Sequence, residues 1–563
     1  MTDATPPPLP GPEEYAYDAD PVLIQTPTSG DGGDSGRPGT WTPMWHRPCT
    51  FGPSEFDAVM QNLVRNPNVL SSWLFRADIL AETTEAAAAT EGAVTPFPCF
   101  ASLVRADDRT IVRRLIPRNT MRDKPMLQTC LFYGGEEGND DHEDEDDAVE
   151  RSLVVYLPHV ADPAHVPFYH PKVQGVGFLH AWRPRDGRGT VSMHFSLFPE
   201  TLATPPDDAG SKLSRPILAR VALSLINTVC KHGEGKRAGY VKRVHHDQLV
   251  PQARVQDRYT RLKEKHARRL VATWQETTDP AKHVFEDLSI AAFLMELWRD
   301  MYGVEGEGED EASVPAQFPG FVDVGCGSGL LVHILNEEGY RGWGFDARKR
   351  RSWQQYEHNE PYGHGDGASP TCVTATLRES LLLPSFLTDK GNDKNENKTE
   401  TETGRTSSTH DGTFPPGTFL IANHADELTV WTPLLAALSG CAFLAIPCCS
   451  HNFTGARFRA PPPSSAAREA TASVSVTLAS SSTYASFVEW VAGVAEDCGW
   501  AVEFEMLRIP STRNVGLVGR RRKVDAVFTV EHAWDVIASH GGAHGFADNV
   551  AKLAAADGKK NTH

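Results

Sequence analysis

A glycine-rich stretch between two acids is the strongest chemical signal in this 563-residue chain. An apolar run that ends at Val324 leads directly into Gly325-Cys326-Gly327-Ser328-Gly329, and apolar residues then recur at helical spacing. Glycines at alternate positions let the backbone turn sharply and approach a ligand closely. Asp346 ends the next predicted strand, 23 residues after Asp323. A carboxylate there can accept hydrogen bonds from ribose hydroxyls.

The spacing of these glycines is GxGxG, which differs from the GxGxxG of dinucleotide-binding folds. No Gly-Lys-Ser/Thr follows, so a nucleotide triphosphate loop is not indicated. An ordinary tight strand-to-helix turn would also explain the glycines. The acid at the correct distance favours a cofactor that contains a ribose.

A second polar cluster follows the predicted strand Phe419–Ala422. It consists of Asn423, His424, Asp426 and Glu427. In open α/β sheets, ligands bind beyond the carboxyl ends of the strands, so these side chains are candidates for proton transfer. Asp426 or Glu427 could instead cap the next helix.

Two further loops offer thiols and arginines. Cys448, Cys449 and His451 suggest a metal, but adjacent cysteines cannot easily place both sulfurs on one zinc, and we predict no metal site. Arg457, Arg508 and Arg513 lie in the predicted loops and suit bidentate binding of phosphate, although structural ion pairs are an equally ordinary explanation.

The elements that must position these loops alternate between strands and helices, as a doubly wound parallel sheet requires. Strands are predicted at Thr371–Leu377, Phe419–Ala422, Ala442–Ile446, Ala501–Ile509 and Val515–Val518, the last two as a closing antiparallel hairpin. The predicted fold is therefore Rossmann-like α/β over 303–528, preceded by an α+β N-terminal domain over 41–210. The other predicted regions are a disordered leader (1–40), an acidic disordered insert (135–150), a helical, locally basic region (211–302), disordered loops (388–412 and 460–473) and a short helical tail (529–563).

Charge is distributed unevenly along the chain. The net charge is -18, yet Lys231–Arg269 carries twelve Lys/Arg against four Asp/Glu. Such a basic stretch suggests a polyanionic partner, with Arg258, Arg261 and Arg268 as candidate RNA-phosphate ligands, although a solvated helix face is the simpler alternative. No apolar run is long enough to span a bilayer, and the ten cysteines contain no CxxC pair, so we expect a cytoplasmic protein without a disulfide framework.

DVGCGSG followed by GFDARKR resembles motif I and the acidic strand end of class I S-adenosylmethionine-dependent methyltransferases. The resemblance implies that Asp323 and the Gly325–Gly329 turn, including Cys326 and Gly327, hold the methionine part of the cofactor and that Asp346 holds its ribose. Asn423, at the end of the neighbouring strand, is counted with the cofactor residues.

Longer runs, among them DPAKHVFEDLSIAAFL, NHADELTVWTP, IPCCSHNFTGARF and RLIPRNTMRDKPMLQTC, resemble the eukaryotic tRNA (uracil-2′-O)-methyltransferases that modify uridine-44 of serine tRNAs. The resemblance implies a ribose 2′-hydroxyl as methyl acceptor and tRNA as partner. Position makes Asp426 the first candidate base, with His424 and Glu427 next. The loop lacks the Asn/Asp-Pro-Pro-aromatic signature of base N-methylation and the lysines of a Lys-Asp-Lys-Glu tetrad. Two alternatives stay open: methylation of another RNA or of a base carbon through Cys448 or Cys449, and a catalytically silent RNA-binding subunit.

Overall fold

The structure is a computed structural model. It describes residues 9–16, 19, 22–25, 41–82, 98–101, 103–120, 122–137, 149–199, 215–240, 246–303, 314–356, 376–388, 408–461, 482–523 and 527–560. They form two compact units that divide between Val241 and Lys242. The division falls inside the helical region predicted at 211–302. The prediction that 211–302 forms a separate region is wrong, because the first helix of this stretch belongs to the first unit and its later helices belong to the second.

The first unit contains an eight-stranded antiparallel sheet in the order β1-β2-β8-β7-β6-β5-β4-β3. The strands are β1 (Glu13–Glu14), β2 (Trp41–Cys49), β3 (Leu74–Glu82), β4 (Val104–Pro117), β5 (Met126–Glu137), β6 (Val149–Pro158), β7 (Gly175–Arg183) and β8 (Arg188–Ser196). The helix Pro53–Arg65 and the 3₁₀ turn Pro67–Val69 connect β2 to β3, and the long helix Arg215–Arg237 comes after β8. The predicted α+β class of this region is confirmed.

The core of this unit forms where the apolar sides of the two helices pack against one face of the sheet. Phe56 and Met60 of the first helix and Ile226 of the long helix pack against Phe178 and Phe195 of the sheet, and all five are buried. Part of the predicted disordered leader is ordered here, since β1 pairs with β2 and Leu23 is buried. Strands β5 and β6 extend into the predicted acidic insert, whose residues 138–148 lie outside the described part of the chain.

The second unit contains another eight-stranded sheet, in the order β12-β11-β10-β9-β13-β14-β16-β15. The strands are β9 (Phe321–Val324), β10 (Gly342–Asp346), β11 (Leu377–Leu382), β12 (Ser408–His410), β13 (Phe419–Asn423), β14 (Phe443–Ile446), β15 (Glu503–Met506) and β16 (Val515–Gly519). All neighbours are parallel except β16, which is antiparallel to both β14 and β15. The mostly parallel sheet with an antiparallel closing hairpin is therefore confirmed.

Helices lie along this unit at Gln252–Leu262, Arg268–Ala272, Pro280–Tyr302, Leu330–Glu337, Trp353–Tyr356, Trp431–Ser439, Thr483–Asp497, Val530–Ser539 and Phe546–Lys560. A short π-helix at Lys263–Ala267 joins the first two. The helices Val530–Ser539 and Phe546–Lys560 were expected to form a tail. Instead, Ile537 and Phe546 are buried in the hydrophobic core of the second unit. No helix among the described residues is long and apolar enough to cross a membrane.

One strand position is wrong by several residues. The strand predicted at Thr371–Leu377 is observed at Leu377–Leu382, and 371–375 lie outside the described residues. Of the two loops predicted to be disordered, 388–412 and 460–473, residues 389–407 and 462–473 also lie outside the described residues.

Candidate active site

The glycine loop after β9 follows a path that side chains would obstruct. Gly325, Gly327 and Gly329 have φ angles of +76°, +51° and +74°, in the left-handed region that favours glycine. A Cβ atom at Gly329 would lie 2.6 Å from Leu377 Cδ1, whereas a Cβ at Gly327 would meet nothing within 4 Å. The loop thus packs tightly at its end and leaves open space beside Gly327.

The Asp346 carboxylate, at the end of β10, fixes the tip of this loop. Its Oδ2 atom accepts a hydrogen bond of 3.0 Å from the Gly327 amide, and its Oδ1 atom accepts one of 3.2 Å from the Arg348 amide. Each oxygen keeps further lone-pair capacity for ligand hydroxyls.

A second layer of hydrogen bonds braces the loop from the opposite side. The Trp353 indole donates to Gly327 O at 2.9 Å, and the Ser352 hydroxyl donates to Ser328 O at 2.8 Å. Glu276 in turn accepts from the Ser352 amide at 2.9 Å. The loop is therefore held in shape by groups that sequence reasoning had not singled out.

The loop borders a cavity of about 680 Å³ at the carboxyl ends of β9, β10 and β13. Pockets of this size hold small-molecule cofactors. The predicted site residues that line it are Asp323, Gly325, Cys326, Gly327, Asp346, Asn423, His424, Asp426, Glu427 and Arg513. Glu276, Lys282, Glu286 and Asp287, which were not predicted, also line it, and so does Cys448, the thiol of the carbon-methylation alternative.

Acceptor atoms dominate the inner wall of this cavity. Asp323 is 1% exposed, and its Oδ1 atom, like the Oδ1 atom of Asn423, has no hydrogen-bond partner within the described part of the chain. Burial, with the nearby Asp287 and Asp346 carboxyls, raises the pKa of Asp323 well above its usual range. Burial and the Glu286 carboxyl raise the pKa of Asp287 to about 7, against an opposing hydrogen bond from Asn423. A ligand with cationic groups would satisfy these acceptors, so the residues fit S-adenosylmethionine with its ammonium and sulfonium charges.

The loop after β13 is strained at two of the predicted catalytic residues. His424 and Asp426 have φ angles of +52° and +46°, which are uncommon for residues other than glycine and cluster at functional sites. Nε2 of His424 lies 2.9 Å from Oε1 of Glu286. Asn423 Nδ2 donates to Asp287 Oδ1 at 3.3 Å. The helix Pro280–Tyr302 thus holds this loop through two adjacent acids.

Glu286 and Asp287 are functional candidates that sequence reasoning missed. A signal was present, because the two consecutive acids directly precede the mostly apolar run Leu288–Met295 of this helix. Their partners lie more than a hundred residues further along the chain, and only the fold reveals the pairing.

Asp426 is exposed and accepts a hydrogen bond of 3.1 Å from the Cys448 thiol. Burial and the Asp426 carboxyl raise the pKa of this thiol, and the pKa of Cys449 is raised for the same reasons. Ligand atoms of Asp426, Cys448 and Cys449 lie within 4.8 Å of one another. Thiols that stay protonated are poor nucleophiles, so these raised pKa values disfavour thiolate catalysis by this cluster.

The predicted RNA-binding arginines have different surroundings. Arg258 is 5% exposed and its Nε donates to Glu296 Oε1 at 2.7 Å, so assigning it to RNA was wrong. Arg508 donates to Asp247 through Nε at 3.0 Å, a structural ion pair that replaces the predicted phosphate contact. Arg261, Arg268 and Arg457 are exposed.

Arg513 has a third environment. It lies over the Tyr484 ring at 4.5 Å and lines the cavity. This position leaves it available to a ligand of the site.

The sheet order and the glycine loop with its strand-end acid define a class I S-adenosylmethionine-dependent methyltransferase. A family model described as a predicted AdoMet-dependent methyltransferase matches residues 249–361, and one described as a TRM44-like, N-terminal bet v1-like domain matches residues 14–243.

The chain belongs to the tRNA (uracil-2′-O)-methyltransferase family. It is 46% identical to a Neurospora crassa protein named tRNA (uracil-O(2)-)-methyltransferase, over 96% of this chain and 97% of that protein. Proteins of the same name from Debaryomyces hansenii and Saccharomyces cerevisiae are each 34% identical, over 95% and 90% of this chain and 97% and 91% of their own lengths.

Proposed function

We propose that this enzyme transfers the methyl group of S-adenosylmethionine to the ribose 2′-hydroxyl of uridine-44 in serine tRNAs. The observation that carries the proposal is similarity to a named tRNA (uracil-O(2)-)-methyltransferase along nearly the full length of both chains, together with a cavity suited to the cofactor. The choice of uridine-44 and of serine tRNAs rests on the resemblance of the sequence runs. A cytoplasmic location is part of the same proposal.

In this proposal, one wall of the cavity holds the cofactor, which supplies an electrophilic methyl group. The Asp346 carboxylate would bind the ribose hydroxyls while it keeps the Gly327 amide in place. The acceptor atoms of Asp323 and Asn423 would face the cationic methionine part. Rigid placement of donor and acceptor supplies much of the rate in such a transfer.

Asp426 remains the first candidate for the base that removes the proton from the 2′-hydroxyl. Its carboxylate is exposed at the cavity, whereas the Nδ1 atom of His424 is buried. His424 bonded to Glu286 would then position the loop that presents Asp426. Glu427, which lines the same cavity, is the next candidate for the base.

The exposed cations would contact the phosphates of the tRNA. Half-buried Arg513 lines the cavity, Arg457 is exposed in the loop after β14, and Arg261 and Arg268 lie on the exposed face of their helices. Phosphate contacts of this kind supply affinity without specifying sequence.

The test is a methyl-transfer assay with total tRNA followed by nucleoside mass spectrometry. We expect 2′-O-methyluridine with the intact enzyme and none with Asp346→Ala. Asp535→Ala is the matched control, because this carboxylate is exposed on another helix of the same unit and does not line the cavity. A ring-methylated uridine would contradict the proposal and favour the carbon-methylation alternative.

A further inference from the structure

Two aromatic side chains of the first unit are exposed and touch each other. Trp73 is 47% exposed and Phe168 is 57% exposed. Their ring centroids lie 5.3 Å apart, with the rings nearly perpendicular at 88°. Side chains of this size usually bury their apolar surface, so such a pair on the surface suggests a binding role.

An arginine accompanies both rings. The Arg122 guanidinium carbon lies 4.9 Å from the Trp73 ring centroid and 5.4 Å from that of Phe168. Asp123 holds this guanidinium, since its Oδ2 atom accepts from Nε at 3.1 Å and from Nη2 at 2.8 Å. We call Trp73, Arg122 and Phe168 the aromatic–arginine cluster.

The segments that carry the cluster are tied to one another. Arg118 donates through Nε to Ser72 O at 2.7 Å and through its amide to Trp73 O at 2.9 Å. The Tyr169 hydroxyl donates to Lys124 O at 2.8 Å. The cluster is therefore fixed before any ligand binds, which lowers the entropic cost of binding.

The local charge is positive although the chain as a whole is acidic. The segments 71–75, 117–124 and 166–172 contain four cationic residues, Arg118, Arg122, Lys124 and Lys172. Asp123, which is bonded to Arg122, is the one acid in these segments. Trp73, Phe168 and Lys172 also border a cavity of about 750 Å³, so the rings lie beside a recess.

We propose that the aromatic–arginine cluster binds an unstacked nucleobase of the tRNA substrate, with the surrounding cations on the adjacent phosphates. Aromatic rings and arginine planes stack on unpaired bases, and the cationic neighbours match a polyanion better than the apolar surface of a protein. The inference rests on the proposed function in taking tRNA as the ligand. It assigns RNA contacts to a part of the chain remote in sequence from the methyl-transfer site.

The test uses the full-length protein with the double substitution Trp73→Ala/Phe168→Ala. We expect KM for tRNA to rise about 5- to 100-fold, while kcat and the affinity for S-adenosylmethionine stay unchanged. Trp73→Phe/Phe168→Tyr keeps two aromatic faces and should restore most of the affinity. Leu80→Ala is the matched control, because Leu80 is exposed on β3 close to Trp73 in sequence but offers no ring.

Binding of a fluorescein-labelled oligouridylate, measured by anisotropy, separates failure of this inference from failure of the proposed function. If the intact enzyme methylates tRNA and the alanine variant keeps its KM and its oligouridylate affinity, the inference is wrong and the function stands. If no methylation of tRNA occurs but oligouridylate binding falls only in the alanine variant, the cluster binds RNA and the proposed function is wrong. Unchanged RNA binding with loss of self-association in sedimentation would assign the surface to protein contacts and overturn the inference.

Discussion

The Nε2 atom of His424 lies 2.9 Å from the Oε1 atom of Glu286, and this contact connects the loop after β13 to the helix Pro280–Tyr302. The carboxylate fixes the orientation of the imidazole, and the backbone at His424 has a positive φ angle. Both features place His424 and the following Asp426 at the cavity wall. We interpret the pair as the contact that sets the position of the loop that carries the candidate base Asp426.

A double-mutant cycle tests this interpretation. Glu286→Gln and His424→Asn should each lower kcat for methyl transfer, and the two effects should be non-additive by about 0.5–3 kcal/mol because the residues act as a unit. Initial-rate assays with saturating S-adenosylmethionine measure kcat for each variant. Additive losses would show that the two residues act independently.

Asp426→Asn should lower kcat by about 10²–10⁴-fold with little change in S-adenosylmethionine affinity, because a general base contributes this much to proton transfer. Asparagine tolerates the left-handed backbone at this position, so the loop should keep its shape. The Cys448→Ser/Cys449→Ser variant is the control and should retain most of the activity. The reverse pattern, with activity lost only in the serine variant, would point to thiolate chemistry.

Two glycine substitutions separate folding from cofactor binding. Gly329→Ala should lower the free energy of unfolding by about 1–3 kcal/mol, because the new Cβ would lie 2.6 Å from Leu377 Cδ1. Gly327→Ala adds a methyl group in open space beside the cavity, so its cost to stability comes from the left-handed φ of +51° and not from a clash. It should reduce S-adenosylmethionine affinity more than stability, as calorimetry and thermal unfolding can measure. Equal effects of both substitutions on stability would contradict this assignment.

The pKa of Asp287 predicts a pH dependence with a definite sign. Its folded-state pKa of about 7 lies above the usual 3.8, so the folded protein binds the proton more tightly than the unfolded chain. Stability from this group is complete below pH 3.8 and is lost as the pH rises through 7. A cationic ligand favours the ionised carboxyl, so cofactor affinity should increase over the same range.

Asp287→Asn should weaken both trends. Thermal unfolding without ligand and isothermal titration calorimetry with S-adenosylmethionine, each between about pH 5 and pH 8, provide the comparison. Identical pH profiles for the variant and the unmodified protein would exclude Asp287 as the titrating group.

Local patterns predicted much of the second unit. The apolar run, the glycines and the helical periodicity around Gly325 predicted the strand, the loop and the helix. The rule that ligands bind at strand ends selected Asp346 and Asp426, and both line the same cavity. Strand β11 was misplaced at Thr371–Leu377. Its apolar residues, Leu377 and Leu381–Leu382, lie at the end of that predicted strand and beyond it.

Long-range pairing could not be predicted. Arg258 carries the same charge as its exposed neighbours, and only the packed helix bearing Glu296 makes it a buried ion pair. The contact between His424 and Glu286 spans 138 residues of sequence and has no local signature.

The proposed function specifies both the atom that is methylated and its position in the tRNA. The most direct measurement is mass spectrometric mapping of a serine tRNA transcript after incubation with the enzyme and S-adenosylmethionine, beside a transcript with cytidine at position 44. We expect 2′-O-methyluridine at position 44 of the first transcript and none in the second. A methyl group on the uracil ring, or 2′-O-methylation elsewhere that persists in the second transcript, would contradict it.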